Sequence, residues 1–235
     1  PSKIDNDTPE NAKRYDEREI TGITILAYRD IPMLLKKYVS GKRALDFGCG
    51  TGFSTRLLNS LGFDVIGVDI SLNMLNYAWA KKDGIPYAHI KHGYINAHSD
   101  TFDLVLSVMV YFDIPSLDMI EQVQAEICRV LKPGGIFIGV VGSEHLHLNN
   151  WSTLQTDAEK NKNLKSGDIY AAYSAKHRIT FYDYFYTDAD YRKVFSKTGL
   201  ALLETHFPLG NSNDNFSWTI ETDIPSHAIY VCRKN

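Results

Sequence analysis

Apolar positions along this chain fall into two alternating kinds of block. The runs "RALDF", "DVIGVD", "FDLVLSVMV" and "GIFIGVVG" are apolar at successive positions and rich in Val, Ile and Phe, which predicts strands buried on both faces. Between them, "FSTRLLNSL", "LNMLNYAWAKK" and "SLDMIEQVQAEICRVL" repeat apolar residues at helical spacing, and "YAHIKH" supplies a short segment before "FDLVL". Strands of this kind alternating with helices predict a doubly wound α/β fold around a parallel sheet. Ahead of the first strand, Ile20, Ile23, Ile25, Leu26, Ile31, Leu34 and Leu35 predict one or two helices, with Pro32 as a break or a first turn. The clean period is lost from Ser143 to Tyr186, where charged residues mix with aromatics, and this stretch reads as an insertion. Afterwards "DADYRKVFSKTG" predicts a helix closed by Gly199, and "LALLETHFPL" and "HAIYVCRKN" predict the last strands. The expected organisation is a single domain, 1–235: a helical cap (1–41), a core (42–142), a lid-like insertion (143–186) and a closing helix with two strands (187–235).

Composition narrows the class. With 235 residues, 44% of them hydrophobic and 23% charged, the chain can bury one substantial core. No apolar run is long enough for a membrane helix, and the polar start "PSKIDNDTPENAKRYDEREITG" lacks a signal peptide's apolar stretch, so a soluble cytoplasmic protein is expected. Cys49, Cys128 and Cys232 are scattered through apolar surroundings, as buried thiols in a reducing compartment would be. Lys and Arg number 25 against 28 Asp and Glu, so no global positive charge exists to hold a polyphosphate backbone.

The chemistry concentrates in "ALDFGCGTGFSTRLL". Gly48, Gly50 and Gly52 between a strand and a helix can adopt positive φ and let a ligand touch the main chain, while Thr51 and Ser54 are placed to cap the helix. Asp69 ends the next strand, where a carboxylate can accept hydrogen bonds from both hydroxyls of a ribose, and Ser71 is free to cap the helix after it. Up to this point a dinucleotide and S-adenosylmethionine fit equally. A dinucleotide loop wants a third glycine where this chain has Phe53. Asp46, two residues before the first glycine, suits a ligand with an ammonium group.

Taken together, "LDFGCGTG", "VIGVDIS", "FDLVLS" and "RVLKPGG", spread over about residues 42–142, resemble a class I S-adenosylmethionine-dependent methyltransferase, of the Rossmann-like superfamily. The resemblance implies a seven-stranded, mostly parallel sheet whose last strand is antiparallel, with N-terminal helices and the lid insertion after strand five. It implies that the loop Gly48, Cys49, Gly50 and Gly52 meets the methionyl part of the cofactor, with Asp46 near its amino group. By the same resemblance, Asp69 holds the ribose, Ile70 flanks the adenine with Met74 further along that helix, and Ser107 at the end of "FDLVLS" is a further cofactor-binding residue. Where many relatives carry an acid for the adenine amino group this chain has Gly93-Tyr94, so either Tyr94 stacks on the ring or the main chain at Ile95 recognises it. An N-terminal tyrosine of "RYDE" type closes over the cofactor in related enzymes, a role the resemblance carries to Tyr15.

Methyl transfer from a sulfonium is an in-line displacement, for which no metal is expected and aromatic faces are favourable surroundings. Tyr28 and Tyr111 are therefore expected near the acceptor. Residues 151–191 hold nine aromatics, Trp151 and Tyr173 among them, and these predict an acceptor-selecting lid for a small, flat or amphipathic molecule. In "GSEHLHL", His145 is the expected general base and His147 an acceptor-side neighbour. The leading reading is O- or N-methylation of a small molecule. A protein or tRNA acceptor, supported by a basic surface at Lys160, Lys162, Lys165, Lys176 and Arg178, and a non-catalytic cofactor-binding sensor or scaffold remain as alternatives, with a nicotinamide oxidoreductase last.

Overall fold

In the computed structural model, which describes residues 7–176 and 178–235, three helices come first: α1 (Pro9–Asp16), α2 (Ile23–Tyr28) and α3 (Ile31–Tyr38). The core then alternates β1 (Arg43–Phe47), α4 (Phe53–Ser60), β2 (Asp64–Asp69), α5 (Leu72–Ala80), β3 (Tyr87–His89), β4 (Phe102–Val108), α6 (Leu117–Val130) and β5 (Leu131–Gly142). After β5 come β6 (Gln155–Thr156), α7 (Ala158–Asn161), β7 (Ile169–Ser174) and β8 (Ile179–Tyr184), and the chain closes with α8 (Asp188–Lys197), β9 (Leu200–His206) and β10 (His227–Lys234). The main sheet has seven strands in the order β3-β2-β1-β4-β5-β10-β9. Its first five strands run parallel and β10 runs antiparallel to both neighbours. Strand order reverses between β1 and β4, which opens a crevice at their carboxyl ends.

Burial on both faces follows from the uninterrupted apolar runs. Leu45 and Phe47 of β1 join Val105, Phe137, Ile127 and Phe195 in one core, while Ala44 joins Leu34, Leu58, Leu104 and Ile138 in the other. Pro32 lies in the first turn of α3, where its missing N–H costs nothing, and so separates α2 from α3 without a kink. The three cysteines are buried and unpaired.

The insertion is more regular than the sequence suggests. Strands β6, β7 and β8 make a small antiparallel sheet in which Tyr170 pairs with Asp183, Ala172 with Phe181 and Ser174 with Ile179. Tyr170, Ala172 and Ser174 face inward, whereas Ala171 and Tyr173 face solvent. A two-residue period is therefore present in β7 but only six residues long, and β8 breaks it where Asp183 and Tyr184 are both buried, so it does not stand out among the surrounding charges. This sheet has its own core of Ile23, Leu146, Trp151, Leu154, Tyr170 and Ala172. Trp151 is 4% exposed and its Nε1–H donates to the Leu146 carbonyl at 2.9 Å, so it is a packing residue and not the acceptor-facing group expected. Tyr173, on the outer face, also departs from that expectation.

Two sets of contacts seat the small sheet. Buried Glu221, in the loop between β9 and β10, accepts from the Ser152 N–H at 2.7 Å, the Thr219 N–H at 2.8 Å and the Ile220 N–H at 3.0 Å. On the other side, Tyr15 meets Phe181 edge-on at 5.9 Å, Arg14 Nη1 donates to the Arg178 carbonyl at 2.7 Å, and Lys176 pairs with Glu19 at 2.6 Å. Replacing Trp151 by Ala is expected to cost about 3–5 kcal/mol, as cavity-forming aromatic truncations do. Thermal unfolding, with hydrogen exchange to locate the loss in residues 146–185, checks this.

Candidate active site

The loop after β1 is fixed by its own main chain. Gly48 and Cys49 both donate to the Val68 carbonyl, at 2.8 and 3.0 Å, and Gly52 donates to the Cys49 carbonyl at 2.8 Å. Gly50 has φ +53° and nothing within 4 Å of where a Cβ would stand, so the loop presents bare backbone to open space. Gly52, at φ +87°, is the N-cap of α4 and offers no side chain for capping.

Ser54 does not cap the helix as expected, because a stronger acceptor competes for its hydroxyl. Ser54 and Thr55 both donate to Asp46 Oδ2, at 2.7 and 2.6 Å. Asp46 is fully buried, and its Oδ1 has no hydrogen-bond partner among the described residues. Burial, opposed by those two hydroxyls and assisted by the Asp69 charge, pushes its carboxyl up to about 6. A dry carboxylate with one oxygen saturated and one unused is set for a cation.

Asp69 is 8% exposed and divides its oxygens between the Gly50 N–H, at 2.7 Å, and the Ser71 N–H, at 2.8 Å. Burial holds its carboxyl above the usual carboxylate range. Ser71 caps α5 by accepting from the Met74 N–H at 3.0 Å, so Asp69 is not needed as the helix cap. Ile70 is 64% exposed beside it, and Met74 is half-buried in the first turn of α5. Ser107 is buried at the end of β4, and its Oγ lacks a partner among the described residues. Cys49 is buried with its thiol pushed up by burial.

Several expected site residues are placed otherwise. Ile95 donates its N–H to Glu126 Oε1 at 2.9 Å and its carbonyl accepts from Arg129 Nη2 at 2.9 Å, so α6 occupies the N–H and one of the two lone pairs of the carbonyl. Tyr94 is 61% exposed, with the Arg129 guanidinium 5.7 Å from its ring centroid. Tyr111 is 2% exposed; it stacks on Phe137 and donates to Gln124 Oε1, which makes it a core residue. His147 is buried against Phe185 at 4.5 Å and Tyr170 at 5.8 Å, and burial lowers its pKa. The His145 side chain is exposed and lines a cavity of about 180 Å³ with Glu144, Tyr186, Asp188 and Arg192. No residue from Gly48 to Gly52 lines that cavity, so the geometry does not bring His145 to the loop.

Other groups do converge. Tyr28 meets Phe53 edge-on at 4.8 Å, and burial pushes its hydroxyl up to about 12. Tyr15 feels the charges of Arg18, Asp113 and Asp183. Asp183 is 6% exposed, hydrogen-bonded by Tyr170, and held well above the usual carboxylate range by burial and by Asp113. Buried His227, at the start of β10, has its pKa lowered to about 4 by burial and then by Arg18. Arg18, Asp183 and His227 carry no local motif; only their partners in space single them out.

The model of a methyltransferase domain matches residues 45–139. The malonyl-[acyl-carrier protein] O-methyltransferase of Buchnera aphidicola is 30% identical over 128 residues, 53% of this chain and 51% of that one. Over residues 45–139 the chain is therefore similar to a methyltransferase domain. The demethylmenaquinone methyltransferase of Renibacterium salmoninarum is 29% identical over 119 residues, covering 51% of this chain and 48% of that one. The chain spans about half the length of the curated relatives it matches. Among solved structures, an S-adenosylmethionine dependent methyltransferase from Mesorhizobium loti superposes with a TM-score of 0.64 at 19% identity, covering 91% of this chain and all of that one. One from Clostridium acetobutylicum gives 0.64 at 18% identity, with 96% and 98% covered. At these identities the structures establish the fold, including the antiparallel last strand.

Asp46 keeps one buried oxygen unpartnered and Gly50 keeps an open face, and a buried carboxylate of this kind costs stability. Its carboxyl is raised from 3.8 to about 6, so its stabilising contribution is complete below the unfolded value and is lost as pH rises through about 6. Asp46→Asn is therefore expected to stabilise the ligand-free protein by on the order of 2 kcal/mol at pH 8, with the gain fading below about pH 4. Denaturant unfolding across that range measures it.

Proposed function

We propose that this protein transfers a methyl group from S-adenosylmethionine to a small-molecule acceptor, at oxygen or nitrogen. The observation that carries the reading is the unpartnered, buried Oδ1 of Asp46 beside the open main chain at Gly50. The bound cofactor supplies a methyl group on a cationic sulfur, which an acceptor lone pair displaces in line. Asp46 would take the ammonium, the loop from Gly48 to Gly52 the methionyl chain, Asp69 the ribose and Ile70 one face of the adenine. Asp69 can serve the ribose and the loop at once, because each carboxylate oxygen has a further lone pair beyond the one given to Gly50 or Ser71.

Acceptor selection falls to the roof formed by residues 14–23 and the small sheet, where Tyr15 meets Phe181 and feels the charge of Asp183. An aromatic roof excludes water and places ring faces near a sulfonium. The relatives point the same way, since their names specify menaquinone, ubiquinone and malonyl-carrier chemistry. The basic surface that a tRNA acceptor would use is largely neutralised: Lys160 pairs with Asp157, Lys162 with Glu159 and Lys176 with Glu19.

Calorimetric titration should show binding of S-adenosylmethionine and S-adenosylhomocysteine and none of NAD; binding of NAD alone overturns the reading. Because Asp46 must be ionised to hold an ammonium, affinity for S-adenosylmethionine should fall by roughly tenfold per pH unit below about 6, and Asp46→Asn should flatten the dependence. Label from methyl-tritiated cofactor should appear in the small-molecule fraction of an extract and not in its protein or RNA.

A further inference from the structure

The cavity beside His145 lies apart from the glycine loop, and no step of the proposed transfer uses it. It is bounded by Gly142 of β5, by Ala228 and Tyr230 of β10 and by the start of α8, and Phe207, just after β9, lines it while staying 48% exposed. At about 180 Å³ it is smaller than the pocket of a drug-sized ligand and suits a compact one. Its tyrosines offer rings more than hydroxyls. The Tyr230 hydroxyl donates to Asp188 Oδ1 at 2.7 Å and the Tyr186 hydroxyl to the Ile114 carbonyl at 2.7 Å, so both hydrogens are already placed. The Tyr191 ring is edge-on to Tyr186 at 6.2 Å and tilted against Tyr230 at 5.7 Å.

The charges around the cavity are unevenly paired. Asp188 is matched by Arg192, whose Nε–H donates to its Oδ2 at 2.5 Å and whose Nη2 donates to Thr205 Oγ1 at 3.0 Å. Glu144 has no cation within ion-pair distance among the described residues; its Oε1 accepts from the Asp188 N–H at 3.1 Å, an uncharged donor. That N–H belongs to the first turn of α8, where Asp188 and Asp190 already answer the helix dipole. Two carboxylates and one guanidinium therefore line the cavity, with His145 as the other ionisable group of the rim. An aromatic face and an unmatched carboxylate attract the same sign of charge. We propose that this cavity binds a small organic cation, an amine in its ammonium form, with the charge toward Glu144 and the apolar part against Phe207 and the tyrosine rings. An anion meets Glu144 and finds Arg192 already paired. Because the cavity shares no residue with the loop from Gly48 to Gly52, its occupation does not depend on the cofactor assignment.

Three probes of similar shape test this by calorimetry on the whole chain: 2-phenylethylamine, 2-phenylethanol and 3-phenylpropanoate, which end in an ammonium, a hydroxyl and a carboxylate. The amine should bind about tenfold or more tightly than either of the others, the scale of one charge-assisted hydrogen bond. Glu144→Gln keeps an oxygen for the Asp188 N–H and so should leave the unfolding midpoint in place, while it lowers affinity for the amine about tenfold and changes that for the alcohol less than about twofold. Phe207→Ala, at a half-exposed ring, should weaken the amine severalfold through the lost face. Equal affinity for amine and alcohol overturns the proposal, as do tighter binding of the carboxylate, binding of none of the three, and amine affinity that neither substitution moves.

Discussion

A carboxylate kept dry at the end of a central strand is the constraint on which the site depends. Asp46 belongs to β1, the strand at the sheet's reversal point, and its Oδ2 takes the hydroxyls of Ser54 and Thr55 on α4. Those bonds fix the helix against the strand, so the intervening glycines are stretched across a set distance. Because neither hydroxyl reaches Oδ1, the saturation that builds the loop also leaves one oxygen unspent. Assembly of the loop and readiness for a cation are one arrangement.

Around that point the chain adds walls in order of sequence distance. Asp69, one strand away, clamps Gly50 and the start of α5 together. The roof comes from much further off, from residues before β1 and from the strands after β5. It meets the loop through Tyr28 and Phe53 and the small sheet through Tyr15 and Phe181. The main sheet therefore supplies the floor, and two segments with no part in it supply the ceiling.

This division explains which features were legible in the sequence. The sheet, the glycine loop, Asp46 and Asp69 are written in local periodicity and spacing, and the local segments determine them. Ser54 shows the limit of local reading: a serine near a helix start ordinarily caps it, but here a buried carboxylate from another element is the better acceptor. Trp151, Tyr111 and His147 look like ligand contacts because aromatic and imidazole side chains suit both cores and sites, and only burial in three dimensions decides between them. The main chain at Ile95 is also bonded by Glu126 and Arg129 on α6, a competition invisible along the chain. Arg18 and Asp183 escaped notice for the converse reason, since each is an ordinary charged residue until its neighbours are known.

The buried Glu221 fastens together two segments that lie far apart in the chain. Its carboxylate gathers N–H groups from residue 152 and from residues 219 and 220, so the insertion and the loop before β10 share one anchor in the interior. Separating them would strand several donors and a charge away from water. The N-terminal segment is joined to the same small sheet by Ile23, buried in its core, by the Ile23 N–H donating to Thr153 Oγ1 at 3.3 Å, by the Lys176–Glu19 pair and by the edge-on contact of Tyr15 with Phe181. One side of the small sheet is thus pinned by a carboxylate in the interior and the other by an apolar core residue, so two chemically different fastenings hold a single unit in place.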